Sequence, residues 1–142
     1  MPLLDTNVVS ELMKTAPDAT VLAWVDALPR SELLVTSITQ AELLYGVALL
    51  APGRRRHDIA RAVEAVFTDL FRQRVLPFDS AAASAYAVIA TARRRAGRPI
   101  STFDAAIAAV ARSRGAALAT RNTADFEGCG VDLINPWKQN QP

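Results

Sequence analysis

A chain of 142 residues that is 51% hydrophobic and 21% charged is long enough for one domain with a real core, and its composition leaves no room for extended disorder or a coiled coil. One cysteine, Cys129, excludes an internal disulfide framework and, with His57 the sole histidine, argues against a thiolate or imidazole zinc site. Net charge is only +2, yet the basic side is almost entirely arginine, 14 Arg against Lys14 and Lys138; guanidinium suits phosphate, while 27 alanines in the same chain make genomic base composition an equal explanation.

Apolar runs alternate with helix-period segments from one end to the other, the pattern of βα units and a parallel sheet. Leu3 and Leu4 end a short strand that runs into Asp5, followed by a short helix over Val8 to Met13 and a second over Asp18 to Leu28, stopped by Pro29. A strand at Leu33 to Thr36 leads to a helix from Thr39 to Leu50, cut by Pro52-Gly53, and then to a long helix from Arg54 to Phe71. Val75 to Phe78 is the third strand. Asp79-Ser80 caps a helix to Ala96, Ser101 caps another to about Arg114 with Gly115 beyond its end, and the last strands are Leu118 to Thr120 and Val131 to Ile134. The N-terminus lacks a basic segment followed by an apolar one, and the longest uncharged stretch, Ser80 to Ala92, is shorter than the roughly 18 to 20 apolar residues that span a bilayer. A cytoplasmic protein without membrane association is expected.

Asp5, Glu42, Asp104 and Asp125 each follow an apolar run or open a helix. If the runs are parallel strands, their carboxyl ends open on one side and the side chains just beyond them meet in a crevice. Such a crevice needs a cation, because each like-charged pair at about 4 Å costs on the order of 4 kcal/mol at an effective dielectric of about 20. A metal-dependent phosphodiesterase is expected. Each acid has a structural alternative: Asp5 as the N-cap of the first helix, Glu42 closing a capping box from Thr39, Asp104 repeating that box from Ser101, and Asp125 as a turn residue. Coincidence at four sheet-edge junctions is the weaker account.

The segments Leu4-Asp5-Thr6-Asn7-Val8, Thr36 to Leu43 around Glu42, Phe103-Asp104-Ala105-Ala106-Ile107-Ala108, Thr120-Arg121-Asn122-Thr123-Ala124-Asp125-Phe126 and Ile134-Asn135-Pro136-Trp137 resemble, in order and spacing, the PIN-domain nucleases and among them the VapC-type toxins of bacterial toxin-antitoxin pairs. The resemblance covers nearly the whole chain. It implies a single PIN-like nuclease domain over 1–142, a three-layer α/β/α sandwich around a five-stranded parallel sheet, a Mg²⁺ or Mn²⁺ site made by the acids, RNA cleavage, and a homodimer neutralised by a small antitoxin protein. In it the fourth acid is variable in place, so that Thr120 or Asn122 is a candidate to share the role of Asp125.

On this reading Asp5 and Asp104 are the direct metal ligands, and Glu42 and Asp125 hold metal-bound water or a second ion and take the proton of the attacking water. Thr6 and Asn7 either orient Asp5 or the water, or only turn the chain. Arg121 either contacts RNA or is simply solvated, whereas the clusters Arg54 to Arg56 and Arg93 to Arg98 are expected to be solvated faces. The stripe Leu12, Met13, Val21, Trp24 and Val25 is expected in the core, although in the resembled family the first two helices clasp an antitoxin segment. One histidine rules out a histidine pair acting through the 2′-OH, so 5′-phosphate ends are expected. A dehalogenase-like phosphatase would need Asp at Asn7, and a receiver domain a lysine near the acids. A non-catalytic PIN-like binding module and a metal-dependent DNA nuclease remain as alternatives.

Overall fold

The structure, a computed structural model, describes residues 1–138. Among the described residues five short strands, β1 (Pro2–Leu4), β2 (Val35–Thr36), β3 (Val75–Leu76), β4 (Ala117–Ala119) and β5 (Leu133–Ile134), all pair in parallel. Six α-helices lie between them: α1 (Thr6–Leu12), α2 (Ala19–Asp26), α3 (Ser37–Ala48), α4 (Arg54–Ala65), α5 (Ser80–Arg95) and α6 (Thr102–Arg114).

Alternation along the strands divides the core in two. Leu3, Leu34, Leu76, Leu118 and Leu133 point into one cluster, which Ile89 of α5 and Ile107 of α6 complete. Their neighbours Leu4, Val35, Val75, Ala119 and Ile134 point into the other, with Val8 and Val9 of α1, Val21 and Val25 of α2, and Phe71. Successive strand residues face opposite sides, so helices cover both faces and the architecture is three-layered α/β/α. Leu12, Met13 and Trp24 pack against the second cluster, placing the whole predicted stripe in or against the core.

The expected single five-stranded sheet is not formed. Hydrogen bonding gives a three-stranded sheet in the order β1-β4-β5 and a separate β2-β3 pair. The two meet at one parallel bridge, Leu3 to Leu34, where Leu34 N donates to Pro2 O at 3.0 Å and Leu4 N donates to Leu34 O at 2.8 Å. Chain length explains the break. A 3₁₀ turn at Arg30–Glu32 delivers the chain late, and Thr36 already caps α3, leaving β2 two residues in which to pair.

The expected long helix to Phe71 is also interrupted, since α4 ends at Ala65 and Val66–Leu70 continues as a π-helix whose Phe71 amide donates to Val66 O. Gly115 ends α6 at φ +64°, the left-handed conformation that glycine adopts without a Cβ clash. Among the described residues no helix is long and apolar enough to cross a membrane.

Candidate active site

β1 ends at Leu4, and the next residue opens α1 without any intervening loop. Asp5 therefore stands at the carboxyl end of the sheet, where its amide donates to Ala119 O at 2.9 Å. The residue is only 5% exposed. Oδ1 accepts from the Thr6 amide, capping α1, and Oδ2 accepts from Thr120 Oγ1, both at 2.8 Å. A carboxylate offers about four acceptor sites, so these two bonds hold Asp5 without exhausting it. The cap and the cleft position are compatible.

Glu42 is not a cap. α3 begins at Ser37, with Thr36 as the N-cap accepting from Thr39 N at 3.1 Å, so the expected box starting at Thr39 lies one turn too late. Glu42 instead reaches across to α1, where Thr6 Oγ1 donates to its Oε1 at 2.9 Å. Behind that bond runs a file of hydroxyls: Thr36 donates to Thr39 at 3.5 Å, and Thr39 lies 2.9 Å from Thr6. Because Thr6 gives its proton to Glu42, Thr39 is the donor to Thr6. Thr36 and Thr39 are wholly buried.

Asp104 sits in the first turn of α6, where its amide donates to the Ser101 hydroxyl at 3.2 Å. Asp5, Glu42 and Asp104 line one cleft of about 470 Å³. Asp125 does not line it. It lies in the 3₁₀ turn Thr123–Phe126 and borders a neighbouring hollow with Arg93 and Pro99, where Asp104 is the acid common to both.

Burial and neighbouring charge raise the affinity of Asp5, Glu42 and Asp104 for protons. Burial, more than any other cause, pushes Asp5 up to about 6; the bonds from Thr120 and Thr6 pull against it, and the charges of Asp104 and Glu42 push with it. Glu42 is likewise raised, by burial first and by Asp104, against the pull of Thr6. Asp104 is raised by burial and then by Asp125, against the pull of Ser101. Asp5 thus senses Glu42 and Asp104, Glu42 senses Asp104, and Asp125 reaches the group through Asp104.

Of the other predicted residues, Thr6, Asn7, Asn122 and Arg121 line the cleft. Thr120 lies beneath it, fully buried, accepting from the Asn122 amide at 3.1 Å and from Asn7 Nδ2 at 3.4 Å. Sequence reasoning missed Ser10 and Glu11 on α1, Lys14 just past its end, and Trp137. The signal for the first three was available: with Asn7 they recur at the three- and four-residue spacing of one helix face. Glu11, 6% exposed, pairs with Lys14 Nζ at 3.1 Å. The arginine cluster at the end of α5 is not wholly a solvated face, because Arg93 is buried and donates to the carbonyls of Arg98 and Glu127.

The donor set at the cleft is oxygen only. Among the described residues, no three acidic, histidine or cysteine side chains are gathered closely enough to hold a metal ion by themselves. An ion bound there would keep waters of its own, as Mg²⁺ characteristically does, and would relieve the repulsion among the acids.

Residues 3–128 match the PIN domain family. This chain is a PIN-domain protein. It is 43% identical over 138 residues to the VapC ribonuclease Y4jK of Sinorhizobium fredii, covering 97% of this chain and 99% of that one. It is 39% identical to the toxin FitB of Neisseria gonorrhoeae over 137 residues, 96% of this PIN-domain chain and 99% of FitB. The solved structure of FitAB bound to the IR36 DNA fragment superposes at a TM-score of 0.91, with 38% identity and 99% of both chains covered.

Proposed function

We propose that this PIN-domain protein is a metal-dependent endoribonuclease and the toxin of a toxin-antitoxin pair. The observation that carries the reading is the meeting of Asp5, Glu42 and Asp104 in one cleft, each with its proton affinity raised by burial and by a neighbouring acid. An all-oxygen set fits Mg²⁺ or Mn²⁺, with Asp5 and Asp104 the residues that would hold it. When bound, the ion acidifies a water and offsets charge on the phosphate.

The chain's own groups supply the rest. Glu42, held by Thr6, accepts the proton of the attacking water. Asp125 acts through Asp104, whose charge it biases. Thr6 and Thr120 fix the two carboxylates, Asn7 and Asn122 brace Thr120, and Arg121 meets the substrate. His57, exposed in the first turn of α4, takes no part, so water attacks phosphorus directly and 5′-phosphate ends result. RNA as substrate follows the relative named a ribonuclease, and the toxin role follows the relative named a toxin. A small antitoxin protein, a homodimer and a cytoplasmic site of action complete the proposal.

The test is incubation of purified protein with total RNA and with single- and double-stranded DNA in Mg²⁺, Mn²⁺ or EDTA. RNA cleaved only with the cations supports the reading. Cleavage that survives EDTA removes the metal, and cleavage of DNA alone removes the ribonuclease.

A further inference from the structure

Arg121 and Trp137 form a built pair on the wall of the carboxylate cleft. The guanidinium carbon lies 5.1 Å from the Trp137 ring centroid. Asn135 ties the two together, its Nδ2 donating to the Arg121 carbonyl at 3.4 Å and its Oδ1 accepting from the Trp137 amide at 2.9 Å. From the other side the Arg121 amide donates to Asn7 Oδ1 at 3.4 Å, and Asn7 in turn donates to Thr120, the residue that holds Asp5. The pair is therefore registered to the carboxylates through Asn7 and Thr120.

Asp5, Glu11, Glu42 and Asp104 all line this cleft, yet among the described residues the Arg121 guanidinium forms no ion pair with any of them. It stays on the indole, exposed, while Trp137 is half-buried against the apolar cluster beneath. A planar cation on an aromatic ring is a rigid surface, and guanidinium planes and aromatic faces are what unpaired bases stack on. Duplex bases keep their faces to themselves.

Resting on the ribonuclease reading, we propose that Arg121, backed by Trp137, is a nucleobase subsite, on which an unpaired base next to the scissile phosphate of single-stranded RNA stacks. Arg121 touches the substrate, and Trp137 is the positioning residue that keeps the guanidinium flat. The subsite favours single strands and tolerates different bases, since every base has a π-face.

The test compares the affinity of the whole protein, in EDTA so that no cleavage intervenes, for a fluorescein-labelled oligouridylate and for a wholly abasic oligomer with the same number of phosphates. Wild type binds the oligouridylate about tenfold more tightly. Arg121→Lys, which keeps the charge and loses the plane, and Trp137→Leu bring the two affinities together, whereas Trp137→Phe restores the difference. A merely structural role for the pair lowers both affinities alike. Equal affinities in wild type, including no measurable binding of either oligomer, overturn the subsite, as does discrimination that survives Arg121→Lys. Cleavage of RNA by wild type in Mg²⁺ is scored separately: cleavage without base discrimination overturns the subsite alone, and absence of cleavage removes the function on which it rests.

Discussion

Thr120 Oγ1 donates to Asp5 Oδ2 at 2.8 Å, a bond that closes 115 residues of sequence and joins the carboxyl ends of two neighbouring strands, β1 and β4. Thr120 also accepts from the Asn122 amide, so its hydroxyl is committed on both sides. Thr120→Val keeps the shape and removes the bond. A hydrogen bond to a charged group contributes about 1.5–3 kcal/mol, and the variant is expected to lose stability of that order. Losing a donor to the ionised form moves the Asp5 pKa above about 6, which carboxyl ¹³C titration reads directly.

Asp5→Asn is expected to stabilise the metal-free protein. The folded-state pKa is raised from the ordinary 3.8 to about 6, so between those values the native state binds a proton that the unfolded state does not. Stability therefore falls as pH rises through that window and is flat above it, the cost of the buried charge amounting to about 3 kcal/mol. Urea unfolding in EDTA should show the variant more stable than wild type at pH 7, with the gap closing toward pH 4. Asparagine keeps an acceptor for the Thr6 amide, but its Nδ2 faces the donating Thr120 hydroxyl, whose proton loses its acceptor, so the stabilisation is smaller than the full cost of the buried charge.

Glu42 depends on Thr6 for its orientation. Thr6→Val removes the donor to Oε1 and breaks the hydroxyl file behind it, while Thr6→Ser keeps both. Cleavage is expected to fall about tenfold in the valine variant, the equivalent of about 1.4 kcal/mol, and to stay near wild type in the serine variant. A Glu42 pKa raised further in Thr6→Val, seen by the same carboxyl titration, ties the loss to that bond.

Asp125→Asn is expected to be milder than Asp104→Asn. Asp104 lines the cleft and Asp125 only the hollow beside it. Steady-state cleavage should fall by at least about a hundredfold for Asp104→Asn, as expected where a preorganised charged group is lost, and by about tenfold or less for Asp125→Asn.

The strand-to-helix junctions were legible because they are local: Asp5 directly after Leu3-Leu4, Ser101 three residues before Asp104, Gly115 past the end of α6. What escaped was set by competition or distance. Thr36 and Thr39 are both good caps three residues apart, and only the docking of α3 against α1 decides for Thr36, which frees Glu42 for the cleft. Asp125 follows β4 as expected, but buried Phe126 anchors its turn and it borders the next hollow instead. Trp137 joins the cleft from the far end of the chain, a contact no spacing encodes. The sheet divides because β2 is too short to pair along its length with β1, and apolar runs do not reveal where the hydrogen bonds stop.

Titration of the EDTA-stripped protein with Mn²⁺, followed by calorimetry, tests most directly whether Asp5, Glu42 and Asp104 act as one cation site. A saturable site is predicted in wild type, weakened about tenfold or more by each of Asp5→Asn, Glu42→Gln and Asp104→Asn, consistent with about 1.4 kcal/mol for every tenfold. Binding of equal strength in all four proteins, or no saturable binding in wild type, would contradict the account.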